Sequence, residues 1–211
     1  MRKIVTTIVF VFFMNILPLL FKPELILSFQ ALFILAGALA MFLTQPAFSI
    51  QETVSNKTTD RFSIVIILLA SIISVSSSLV EWAYFNHRPA NAFFTGLGMV
   101  MIVSGILFRV YSITTLGKYF TATARATNQH MLIKTGPYAI VRHPSYLGAI
   151  VVMAGVPVFL NNVVTLFTTI ILLTIAYAIR INTEEKVLNS FFGEDYKQYS
   201  VRVKRLIPYI W

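Results

Sequence analysis

The chain has no cysteine. Disulfides, thiol nucleophiles and thiolate-held metals are therefore excluded. It is also poor in charge. Only 12% of its 211 residues are Asp, Glu, Lys or Arg, about half the share usual in a soluble domain. Acidic residues are the scarcer sign, 8 against 17 Lys and Arg. Internal repeats and low-complexity tracts are missing as well. What is abundant is apolar: hydrophobic residues make up 57% and mean hydropathy is +0.77. The length is that of one domain, and the composition is that of an integral membrane protein without a separate soluble domain. The net charge of +9 would suit nucleic acid in a soluble protein. In a chain this apolar, positive cytoplasmic loops and anionic lipid account for it better. Membrane lipid is expected as a partner and nucleic acid is not; the sequence carries no sign of oligomeric state.

Hydrophobic runs predict an all-α multi-pass protein. They cover Ile4–Phe21 (broken late by Pro18), Leu25–Thr44, Phe62–Phe85, Ala92–Ile113, Tyr146–Leu160 and Val163–Ile179. The first four approach the roughly 20 residues that cross the hydrocarbon core. The last two are short, are split by Asn161-Asn162, and read as a tight helical hairpin. Six spans are expected, or five if one segment is re-entrant. Met1–Phe21 also has the basic start of a signal peptide, but its apolar run is long and a second follows at once; a retained helix is expected. The chain divides into four N-terminal helices (1–113) and a C-terminal region with the polar motifs (114–211). The latter comprises a loop (114–145), the hairpin (146–180) and a tail (181–211), all in one integrated membrane domain.

Lysine and arginine placement sets the orientation. With six spans and an internal N-terminus, segments 45–61, 114–145 and 180–211 face the cytoplasm and hold nearly all the basic residues, whereas the outward loops hold only Lys22 and Arg88. The 114–145 loop and the C-terminal tail then share the cytoplasmic face, and both termini lie there. In the tail, Leu188, Phe192, Tyr196, Tyr199 and Val203 recur at helical spacing. They predict an amphipathic helix interrupted near Gly193, with its tyrosines in the headgroup zone.

Several residues invite structural readings. The SVSSS run at 74–78 and the pair Gly98 and Gly105, seven apart on one helical face, are expected to serve helix packing. Glu81 and Arg109 are intramembrane charges near span ends and are expected to snorkel to the interface. The chemistry is concentrated in HMLIKTGPYAIVRHPSY, His130 to Tyr146. Pro144 turns His143 away from helical geometry, so a helix should begin near Pro144 or Ser145. Amide groups near Ser145 and Tyr146 would then be free to bind an anion such as a carboxylate, with Arg142 adding a bidentate contact. A basic loop held by lipid phosphates is the alternative. Near the end of the last apolar run, Arg180 and Glu184 of RINTEE lie one turn apart on the same helix face, where an ordinary salt bridge is the alternative.

Six elements occur in order: His130-x-Leu132-Ile133, Gly136-Pro137-Tyr138, Arg142-His143-Pro144-Ser145-Tyr146, Arg180-x3-Glu184-Glu185-x2-Leu188, Phe192-Gly193-x2-Tyr196-x2-Tyr199 and Ile207-Pro208. With the apolar hairpin between them, they resemble the isoprenylcysteine carboxyl methyltransferase family, within a wider group of membrane methyltransferases that includes phospholipid methyltransferases. The resemblance spans residues 130–208. It implies an S-adenosylmethionine-dependent carboxyl O-methyltransferase acting at the cytoplasmic face on a C-terminal isoprenylcysteine or a similar lipophilic acid. It also implies that His130, Met131, Leu132, Ile133 and Tyr138 line the cofactor pocket. Arg142, His143, Pro144, Ser145 and Tyr146 would continue it. Glu184 would bind the cofactor and Arg180 the acceptor's carboxylate, the two forming the catalytic pair, with no metal. One position departs from the family pattern: Thr123 stands where related members carry a cofactor-contacting glutamine. A phospholipid amine N-methyltransferase is the alternative, which needs a base such as His143 or Glu185; a membrane scaffold or a related nicotinamide-dependent membrane reductase is a third reading. A lipid acceptor would enter sideways, between the third or fourth span and the hairpin.

Overall fold

The computed structural model describes residues 2–44, 58–85, 91–120, 131–208 and 210–211. Among these, every regular element is helical, and the only β-type pairing is an isolated parallel bridge between Val141 and Lys204. Helices α1 (Arg2–Val11), α2 (Phe29–Leu43), α3 (Thr58–Val80), α4 (Ala92–Leu116), α5 (Pro144–Phe159), α6 (Val163–Phe192) and α7 (Glu194–Arg202) follow in order.

Among the described residues, three helices are long and apolar enough to cross a membrane: Phe62–Phe85, Ala92–Leu116 and Val163–Phe192. Thr7–Leu19, Phe29–Leu43 and Pro144–Phe159 are shorter apolar helices. The first expected span is not one regular helix. After α1 it widens into a π turn, Phe12–Ile16, and then tightens into a 3-10 turn, Leu17–Leu19, because Pro18 offers no backbone N–H to continue the ladder. The second begins later than its apolar run. Pro23–Leu25 forms a separate 3-10 turn, and Ser28 caps α2 by accepting from Ala31 N at 3.3 Å, a favoured N-cap role.

The largest departure is at α6. The last run was expected to end at Ile179, with a separate tail helix beyond. Instead α6 continues without a break to Phe192 and stops at Gly193, whose φ is +55°. The RINTEE segment is therefore mid-helix. The polar side chains there do not end it, because they find partners on neighbouring segments. The short α7 does begin beyond Gly193. Its Tyr196 and Tyr199 are buried in the protein, not placed among headgroups as expected.

Close packing aligns the hairpin. A Cβ on Gly98 would lie 2.2 Å from Phe159 N, and one on Gly105 would lie 2.9 Å from Gly148 O. Both glycines are thus required for the α4–α5 approach, as their spacing predicted. The serine run also packs: Ser78 Oγ donates to Ser74 O at 2.8 Å, and Asn162 Nδ2 donates to Ser78 O at 2.7 Å. The hairpin turns at Asn161, which takes φ +60°, a conformation asparagine tolerates better than most residues. Glu81 has a partner within the protein. Its Oε2 accepts from Thr165 N at 3.0 Å, placing a carboxylate on the first turn of α6, where the helix dipole favours it.

Candidate functional site

Three separate pieces of chain meet at one end of the bundle: the 131–146 segment, the middle of α6, and the C-terminal segment around α7. Their joint is Glu185, which is buried. Its Oε1 lies 2.7 Å from Arg142 Nη2 and 3.2 Å from His143 Nε2, and its Oε2 is 2.8 Å from Arg205 Nη2. Arg142 also donates through Nη1 to Ser200 O at 2.7 Å and Val203 O at 2.6 Å. Backbone bonds complete the seam, from Arg142 N to Lys204 O (2.7 Å) and from His143 N to Arg205 O (3.0 Å). Tyr199 Oη donates to Tyr138 O at 2.6 Å, and Tyr138 Oη to Ser112 O at 3.3 Å. Burial pushes the phenols of Tyr138, Tyr196 and Tyr199 above their ordinary range, so all three stay neutral.

This seam walls a pocket with about 860 Å³ of empty space, mouth included. Of the expected cofactor residues, Met131, Leu132, Ile133, Tyr138, Arg142, His143, Ser145, Tyr146 and Glu184 all line it. Pro144 is buried behind it at the first turn of α5. His130 and Thr123 lie outside the described residues. Leu116, Tyr119, Phe120, Val187 and Tyr196 also line it, none of them among the expected cofactor residues. Two expectations fail on geometry. The Tyr146 amide is not free, because it donates to His143 O at 3.1 Å. The Arg142 guanidinium is committed to Glu185 and two carbonyls, so it braces the pocket wall.

A second pocket, with about 940 Å³ of empty space, opens on the other side of Tyr146. It is largely apolar, walled by α1, α2, α3, α4, α5 and α6. The hairpin and the third or fourth helix were expected here; the first two helices were not. Its polar end carries Arg109, Tyr146, Tyr177 and Arg180. Arg109 does not snorkel: it is 3% exposed and donates through Nη1 to Ser145 O at 2.8 Å, while its Nε has no hydrogen-bond partner. Arg180 is 4% exposed and reaches Tyr146 Oη (3.2 Å) and Ser63 Oγ (3.3 Å).

Phe120 and Tyr146 line both pockets. The Tyr146 hydroxyl accepts from Arg180 Nε and donates to Glu184 Oε2 at 2.6 Å. Its ring stacks on His143, with centroids 5.6 Å apart and planes at 5°. Arg180 and Glu184 thus sit on opposite sides of one phenol, each facing its own pocket. Among the described residues, no cluster of three His, Asp or Glu could hold a metal ion.

Residues 97–190 match the isoprenylcysteine carboxyl methyltransferase (ICMT) family. Protein-S-isoprenylcysteine O-methyltransferase B of Arabidopsis thaliana is 33% identical over 144 residues, covering 67% of this chain and 73% of that protein. The protein-S-isoprenylcysteine O-methyltransferase of Saccharomyces cerevisiae is 34% identical over 128 residues, covering 60% of this chain and 54% of that one. A solved eukaryotic intramembrane Ras methyltransferase ICMT superposes with a TM-score of 0.65 at 26% identity, over 99% of this chain and 77% of the other. That superposition takes in the N-terminal helices, where the sequence offered only hydrophobic character. An all-helical membrane fold with a polar pocket and an apolar pocket on either side of one tyrosine, together with these relatives, places the chain in the isoprenylcysteine carboxyl methyltransferase family of integral membrane methyltransferases.

Proposed function

We propose that the chain transfers a methyl group from S-adenosylmethionine to the carboxylate of an isoprenylcysteine or similar lipophilic acid, at the cytoplasmic face of a membrane. The observation that carries this reading is the shared wall: Tyr146 and Phe120 belong to both pockets, so two bound molecules would meet there.

The polar pocket fits the cofactor. Glu184 offers a half-buried carboxylate for an ammonium group, and Leu132, Ile133, Val187 and Leu188 offer an aliphatic wall for a flat ring system. When bound, the cofactor supplies a methyl group on a sulfonium, already a good leaving group. An acceptor carboxylate is ionised at neutral pH, so the protein needs no general base. Its task is to align the partners and exclude water. Arg180, and the unfilled Nε of Arg109, hold the acceptor's anionic head at the wall. Their contact also weakens the carboxylate as a nucleophile, so the rate gain comes from orientation and desolvation.

An amine acceptor fits less well. Two buried guanidiniums would oppose its cationic head. Of the two base candidates, Glu185 does not line the polar pocket and is engaged by Arg142, Arg205 and His143, and His143, which does line it, is itself paired with Glu185. We further read the chain as one six-span domain with both termini cytoplasmic, in which residues 1–113 wall most of the acceptor pocket and 114–211 form the cofactor side. The concentration of basic residues in 45–61, 114–145 and 180–211 supports this orientation.

The test is a radiolabelled methyl-transfer assay in lipid vesicles, comparing a farnesylcysteine analogue with phosphatidylethanolamine. Label should enter the prenylcysteine as a base-labile ester. Arg180→Ala should lower kcat/KM for that acceptor about 100-fold, in the range for losing a charged contact. Label confined to the lipid amine would overturn the carboxylate reading.

A further inference from the structure

The apolar pocket does not end where its main volume ends. A narrower compartment lies beyond it, with about 280 Å³ between its wall atoms but room for little more than one water-sized sphere, and the two share Met14, Ala38, Met41 and Met153. The shared residues come from three elements: the π turn after α1, α2 and α5. All three methionines are buried, at 2%, 6% and 8% exposure.

The lining changes character along this path. Arg109, Tyr146, Tyr177 and Arg180 line only the near compartment. The far compartment has no polar side chain in its wall; beyond the shared residues it is closed by Ile34, Gly37, Val75, Ile102, Val152 and Val156. Apart from Gly37, these are β-branched residues, stiff at χ1. Where Gly37 approaches α4, an added Cβ would already lie 3.3 Å from Ile102 Cγ2, so that wall has little room to yield. Methionine is the opposite kind of side chain, unbranched, with three rotatable bonds and a polarisable sulfur, and it fills or vacates irregular space readily. The sequence of walls is therefore a cationic and phenolic end, a flexible methionine floor, and a rigid aliphatic dead end.

We propose that Met14, Met41 and Met153 form an adjustable floor that sets which hydrocarbon chain lengths the acceptor site takes. This rests on the carboxylate reading above, with the acceptor's head at Arg180 and its tail pointing away from Tyr146. A short chain ends against the methionines. A long one displaces them and takes the space they vacate together with the far compartment, whose rigid walls set the upper limit. Selection by length then arises without any polar contact to the tail.

The experiment is a chain-length series of N-acetyl-S-prenylcysteines with ten, fifteen and twenty carbons, methylated by the full chain in vesicles. Met41→Ala enlarges the floor and should raise kcat/KM for the twenty-carbon acceptor relative to the ten-carbon one about tenfold, the scale on which apolar pockets discriminate by chain size. Ala38→Leu narrows the passage and should lower the same ratio by a similar factor. A readout without core substitution uses methionine ε-methyl NMR of the wild-type chain, whose 7 methionines give separate signals. The twenty-carbon acceptor should shift those of Met14, Met41 and Met153 more than the ten-carbon acceptor does. Equal ratios in both active variants, or equal methyl shifts with both acceptors, would overturn the proposal and leave the carboxylate reading standing. If the wild type methylates no prenylcysteine of any length, that reading fails and the floor with it.

Discussion

The two pockets share a wall and little else. The polar one is assembled from three distant segments stitched by hydrogen bonds to Glu185 and to backbone carbonyls. The apolar one is a gap between helix faces, with its charged groups, Arg109 and Arg180, beside Tyr146. The first kind of site depends on a few bonds of high individual consequence. The second depends on side-chain volume spread over many residues. A single change should therefore collapse one pocket and only reshape the other.

Glu185→Ala tests that contrast most severely. It leaves Arg142 buried without its carboxylate and unties Arg205 and His143 at once. Breaking a buried pair from one side costs about 3–5 kcal/mol. We expect loss of S-adenosylmethionine binding by calorimetry and a lower thermal midpoint. Retained binding would show that the backbone seam alone holds the polar pocket.

Glu184→Gln should separate the pockets more finely. Glu184 lines only the polar one. Its charge is the expected partner of a cationic cofactor, so affinity for S-adenosylmethionine should fall about tenfold, within the range for hydrogen bonds to charged groups. The acceptor's KM should stay within about twofold. An equal loss on both sides would mean the residues act as one site.

Tyr146→Phe is the mildest change. The ring, its stacking on His143 and the wall itself are kept, while the hydroxyl between Arg180 and Glu184 is lost. Removal of one hydrogen-bonding group costs about 1 kcal/mol. Both KM values should rise a few-fold together, because the same hydroxyl orients one residue of each pocket. A change confined to one substrate would assign the hydroxyl to that pocket alone.

Much of the polar pocket was legible in the sequence because its residues lie in two short runs whose chemistry stands out against an apolar background. The start of α5 at Pro144, the stop at Gly193 and the packing role of Gly98 and Gly105 follow from local rules. Arg109 and the tail tyrosines were misread for a shared reason. A charge near a span end, or a tyrosine on an amphipathic face, has the same sequence signature whether it faces lipid or protein. Arg109 faces the carbonyl of Ser145, 36 positions away, and Tyr199 the carbonyl of Tyr138, 61 positions away. Nothing local distinguishes these partners from headgroups. The same holds for the first two helices, whose apolar faces gave no hint that one side lines a pocket.

The sequence by itself determined an all-helical membrane protein, the order of its apolar runs, most of the residues that line the polar pocket, and the likeness to a methyltransferase family. These follow from hydropathy, turn chemistry and motif order, all of which are written along the chain. Tertiary structure alone decided the division of labour between Glu184 and Glu185. Neighbours on a helix point about 100° apart, so one meets the pocket and the other meets Arg142, His143 and Arg205. It also decided that Arg180 reaches Ser63 across 117 positions, and that one phenol stands between two pockets. Such facts depend on which surfaces come together in space.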